Sequence, residues 1–139
     1  MVAVQICQLP HIHVRVTTDK GADHRLMLIV DTGFVGAAVI LSATAAARLG
    51  LSNRCSGTSS TGFKSLLGIG HKRVDMMCSM LEIVDICGHE VSNVDVLSST
   101  SVSALQPPSA YADGFVGMDL LGRFDLWLDV MHERIALKQ

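Results

Sequence analysis

At 139 residues the chain has the length of one domain, and residues 1–139 are read as a single one. With 49% hydrophobic and 17% charged residues it can build a core, which excludes a disordered chain. A net charge of -2, with one Trp, one Tyr and four Phe, excludes the basic patch and the stacking platforms of a nucleic-acid binder. No apolar run reaches the length of a membrane span, so no membrane partner is expected. The first residues, "MVAVQICQLPHIHV", lack the charged-then-apolar order of a signal peptide. Cys7, Cys55, Cys78 and Cys87 form no Cys-x-x-Cys pair, and they are expected as reduced, mostly buried thiols in a cytoplasmic protein.

In chain order, residues 2–9 and 12–18 alternate or nearly so and predict strands, with Pro10 between them. Residues 20–23 read as a hairpin turn. Residues 24–30 form the return strand, whose continuous apolar stretch predicts burial on both faces. Residues 41–51, "LSATAAARLGL", predict the one clear helix: Ser42 is its N-cap, the alanines favour helix, Arg48 suits its C-terminal end and Gly50 its stop. Residues 52–62 are a polar loop. Residues 63–77 read as a hairpin turning at Gly68-Ile69-Gly70. Residues 78–86 continue as strand, 87–90 turn, and 91–97 return. A Ser/Pro-rich loop spans 98–112. An apolar strand end and a short helical turn follow at 114–124, and a closing hairpin uses 131–134 as its turn. Strands without intervening long helices predict an all-β barrel or sandwich rather than a parallel α/β sheet.

Asp31 ends the apolar run at 24–30, and Thr32 and Gly33 follow it. A carboxylate among apolar strands is costly unless donors surround it, and the backbone N–H groups of a glycine-containing turn can supply them. The bland alternative is a turn acid with no catalytic role. Three separated features resemble the retropepsin-like aspartic proteases, over roughly residues 2 to 138. The first is the strand, Asp31-Thr32-Gly33 and a helix ending "RLGL". The second is "KSLLGIGHKRV", similar to the flap of retroviral proteases and followed by "VDICGHE". The third is "DGFVGMDLLGRFDLWLDVMHERIALKQ", similar to the family's apolar-apolar-Gly element, short helix and last strands. The variant "DTGFVG" looks like prokaryotic members.

The resemblance implies a closed β-barrel or sandwich with a flap hairpin, one or two short helices and a symmetric homodimer. Aspartic proteases use two carboxylates sharing one proton, and a chain with one Asp-Thr-Gly would obtain the second from another copy. It implies an aspartic endopeptidase without cofactor or metal, acting on polypeptide. Asp31, Thr32 and Gly33 would be catalytic: Thr32 would bond across the two-fold axis, and Gly33 would let the backbone turn and line the cleft with its carbonyl. Phe34, Val35, Leu67, Gly68, Ile69 and Gly70 would line the substrate site, with residues 64–74 as the flap. Phe115, Val116 and Gly117 would cross behind the active-site loop, and residues 118–123 would form the family's helix. Phe34 replaces the usual small residue and would fill a pocket or narrow the cleft. Val35 and Met118 stand near positions where retroviral enzymes carry an Asp–Arg ion pair, so both charges are absent together. A catalytically inactive retropepsin-fold module for dimerisation or peptide binding is the alternative.

Other acids and histidines have simpler readings. Asp119 is expected to cap or brace the helix after Gly117, and Asp125 and Asp129 to be surface acids. His11 and His13 share one face of a strand without a third metal ligand. Cys87-Gly88-His89 is too tight a turn for nucleophile and base to converge.

Overall fold

Strand alternation decides which residues face inward. The computed structural model describes residues 11–54, 76–99 and 112–139 in full, and the backbone alone of 6–8, 64–67 and 73–75. In β2 (His11–Thr17) Ile12, Val14 and Val16 are buried while His13 and Arg15 face solvent. β2 pairs antiparallel with β3 (Asp23–Val30) through a turn in which Gly21 adopts φ +75° and the Thr18 N–H donates to Ala22 O at 3.0 Å. β3 buries Leu26 and Leu28 and leaves Met27, Ile29 and Val30 half-buried, so the expected two-faced burial is only partial.

Past the Asp31 loop comes β4 (Val39–Leu41), buried at every residue and not anticipated from the sequence. α1 (Ala43–Leu49) follows as expected. Ser42 Oγ accepts from Ala45 N–H at 3.2 Å, a cap of about 1 kcal/mol. Gly50 ends the helix at φ +67°, where glycine alone is unstrained. β5 (Lys64–Leu67) pairs antiparallel with the start of β6 (Arg73–Ile86), giving the expected hairpin arms; Gly68, Ile69 and Gly70 lie outside the described residues. β6 turns through Cys87 (φ +47°) and Gly88 (φ +79°), a two-residue hairpin turn of the kind strand twist favours, into β7 (His89–Ser99). Ser98 and Ser99 therefore belong to a strand, not to the expected loop.

β8 (Gly114–Val116), α2 (Met118–Leu121), β9 (Asp125–Asp129) and β10 (Arg134–Lys138) complete the fold. The closing turn spans 130–133, one residue earlier than expected. β1 (Ile6–Gln8), β10 and β9 form a three-stranded sheet. The larger sheet runs β2-β3-β8-β4-β7-β6-β5, and β2 also pairs with β6, closing six strands into a barrel. The all-β expectation holds, with parallel pairing confined to β3/β8 and β4/β7. Leu28, Leu81, Val116, Leu120, Ile135 and Leu137 meet in the core, joining the barrel, α2 and the smaller sheet.

Cys78, within β6, and Cys87, just past its end, are both disulfide-bonded and too far apart along the extended strand to bridge each other. This corrects the expectation of reduced thiols.

Candidate active site

The loop between β3 and β4 carries Asp31, and β8 runs between those two strands. β8 is parallel to β3 (Val30 beside Val116) and antiparallel to β4 (Val39 beside Val116). Two glycines permit this insertion. A Cβ on Gly114 would overlap the Ile40 carbonyl, and one on Gly117 would lie 2.7 Å from Ala37 O and 3.1 Å from Phe34 O. The expected crossing of residues 115–117 behind the loop is therefore present.

Backbone bonds fix both limbs of the loop. The Asp31 N–H donates to Val116 O (3.0 Å), the Met118 N–H to Phe34 O (2.8 Å) and the Gly117 N–H to Ala38 O (2.9 Å). Asp31 Oδ1 accepts from the Gly33 N–H at 3.1 Å, so the turn supplies a donor to its own acid. Gly33 itself does not have a left-handed backbone; the residue that does is Gly36, at φ +110°. A Cβ at Gly33 would make only ordinary contact with Asp31 Oδ1, at 3.4 Å. The chain does turn at Thr32 and Gly33, where the Phe34 N–H donates to Asp31 O at 3.4 Å, and Gly36 supplies a second bend that needs glycine's freedom.

Asp31 is half-buried, and Thr32 and Gly33 are exposed at the loop's tip. Thr32 makes no side-chain hydrogen bond to another described residue. Phe34 packs against a small cluster of Ala37, Ile40, Met76 and Leu97, which ties the loop to the β6 arm of the hairpin. Its ring is thereby partly used in holding the loop. Val35 behaves oppositely, with 75% of its surface exposed. Leu67 ends β5, opposite Arg73.

Asp119 accepts the Gly36 N–H at 3.0 Å through Oδ1, so it braces the loop as well as standing in the first turn of α2. Asp113 gave no signal in sequence. It clamps the entry to β8: its Oδ2 accepts from Met27 N–H (2.9 Å), its Oδ1 lies 3.1 Å from Arg48 Nη2, and its carbonyl accepts from Ser42 N–H (2.9 Å). Strand β3, the start of β8 and helix α1 are joined at that one residue.

The remaining candidates are structural. His89 Nε2 lies 2.7 Å from Leu137 O and Cys87 is bridged, so that turn holds no nucleophile and base. Asp125 is exposed, but Asp129 is bonded to His132 and Arg134. Among the described residues no three His, Cys, Asp or Glu side chains come together as a metal site. None of the helices described is long and apolar enough to cross a membrane.

No protein-family model matches the chain, and no curated protein matches it in sequence.

Proposed function

We propose that the chain is a retropepsin-like aspartic endopeptidase, active as a symmetric homodimer in which the Asp31 carboxyls of two subunits meet. The observation that carries this reading is the insertion of β8 between the strands flanking Asp31. It holds an acid on a backbone-fastened loop whose tip, Thr32 and Gly33, faces outward. No second carboxylate is bonded to Asp31 among the described residues, which fits an acid completed by another copy. Exposed Thr32 is free to bond across the two-fold axis, and exposed Val35 offers apolar surface beside it.

In this mechanism two adjacent carboxyls share one proton because both negative charges cannot persist together. The ionised Asp31 accepts a proton from water as the water oxygen attacks the scissile carbonyl carbon. The protonated Asp31 donates to the carbonyl oxygen. Collapse of the tetrahedral intermediate breaks the C–N bond as the amine nitrogen takes up a proton. The arms β5 and β6 would carry residues 68–70 over an extended polypeptide, and no metal or cofactor takes part. The cytoplasmic placement was expected because the sequence shows no signal peptide and no membrane span; bridged Cys78 and Cys87 fit an oxidising compartment instead.

Asp31→Asn is the direct test. The variant keeps the fold and loses peptidase activity by at least about a hundredfold, the scale of general acid–base catalysis. Undiminished proteolysis would overturn the assignment. Peptide binding without turnover by the wild type would favour the inactive peptide-binding module.

A further inference from the structure

The loop that carries Asp31 is fastened to the β8–α2 segment by four hydrogen bonds, and three of them run between backbone groups. Those three hold Asp31, Phe34 and Ala38. Between Phe34 and Ala38 the chain bulges outward: Val35 and Gly36 are both exposed, and Gly36 takes a φ of +110° that a residue with a side chain rarely adopts. Val35 and Gly36 make one hydrogen bond to the rest of the described chain, the Gly36 N–H donating to Asp119 Oδ1 at 3.0 Å, while Ala37 after them is buried with Ile40, Met76 and Leu97. A charged acceptor makes this a stronger bond than a neutral one. Asp119 is itself fixed by its place in α2, whose preceding Gly117 packs against Phe34 and Ala37. Val35 and Met118 are apolar, so no ion pair between those two positions can join loop and helix.

We propose that Asp119 is a positioning residue: through the Gly36 N–H it holds residues 34–38 so that Asp31 stays in its working place. This rests on the reading of Asp31 as the catalytic acid. Asp119 does not touch the reacting atoms, and its action needs an acceptor oxygen at the Gly36 N–H rather than a negative charge. A carboxamide at the same position supplies that oxygen; a methyl group does not.

The experiment compares Asp119→Ala and Asp119→Asn with the wild type in two readouts, peptidase kinetics and hydrogen exchange of the Gly36 amide followed by NMR. Asp119→Ala is expected to lower kcat roughly 10- to 100-fold with little change in KM, the scale on which a misplacement of about 1 Å acts. Its Gly36 amide is expected to exchange several-fold faster. Asp119→Asn is expected to restore both. Unchanged kcat and unchanged Gly36 exchange in Asp119→Ala would overturn the proposal, as would an Asn variant as impaired as the Ala one. If Asp119→Ala does not fold, Asp119→Asn still decides, because a folded Asn variant with an unprotected Gly36 amide contradicts the stated bond. A wild type without peptidase activity removes the reading of Asp31 instead, and the exchange data then show separately whether Asp119 holds the loop.

Discussion

Gly114 sits where β8 passes β4 so closely that a methyl group would occupy the place of the Ile40 carbonyl. Backbone cannot yield there as a flexible side chain would, so Gly114→Ala must push β8 away from β4. A loss of about 2–3 kcal/mol in unfolding free energy is expected, the scale of overpacking a dense interior. Urea unfolding monitored by fluorescence of Trp127 measures it, and a variant as stable as the wild type would contradict the packing described. The requirement was invisible in sequence, because it comes from a strand brought alongside from far down the chain. Asp31 was legible for the opposite reason: its signal is local, an acid closing an apolar run before a turn. Asp113 was not legible, since its three partners, Met27, Arg48 and Ser42, meet it only in the folded chain.

Local elements repay sequence reading when their stabilising groups are neighbours in the chain. The cap of α1 by Ser42 and its stop at Gly50 are of this kind. β4 is the counterexample: three apolar residues are too few to show a period, and their strand character comes from pairing with β7 and β8. The β9–β10 hairpin shows how a turn acid contributes. Asp129 accepts from the His132 N–H (3.2 Å), from His132 Nδ1 (2.7 Å) and from Arg134 Nη2 (3.0 Å), and Arg134 also lies over Trp127. His132 and then Arg134 hold the Asp129 carboxyl below its ordinary value of 3.8. A carboxyl whose pKa is lower in the folded state adds stability above the unfolded value and loses it as pH falls through the folded one. Asp129→Asn is therefore expected to unfold in less urea than the wild type at about pH 5, with the difference shrinking as the pH drops well below the unfolded value. An equal difference at about pH 5 and about pH 2 would show that the carboxylate charge contributes nothing.

At the scale of the whole molecule, the six-stranded barrel was expected in class, but its closure by β2 and β6 was not, because no local pattern specifies which strands meet. The bridged cysteines were likewise missed: scattered spacing carries no information about which thiols fold near one another. The barrel presents one Asp31 per chain, on an exposed loop beside Val35, and the proposed chemistry needs two. On the proposed chemistry the site would belong to a dimer. Mixing wild-type and Asp31→Asn subunits, at constant total protein and after subunit exchange, tests this most directly. If each site needs two intact Asp31 residues, an equal mixture retains about one quarter of the all-wild-type rate, because random pairing leaves about one dimer in four with both acids. A rate of about one half would mean that each subunit works alone, and would contradict the shared site.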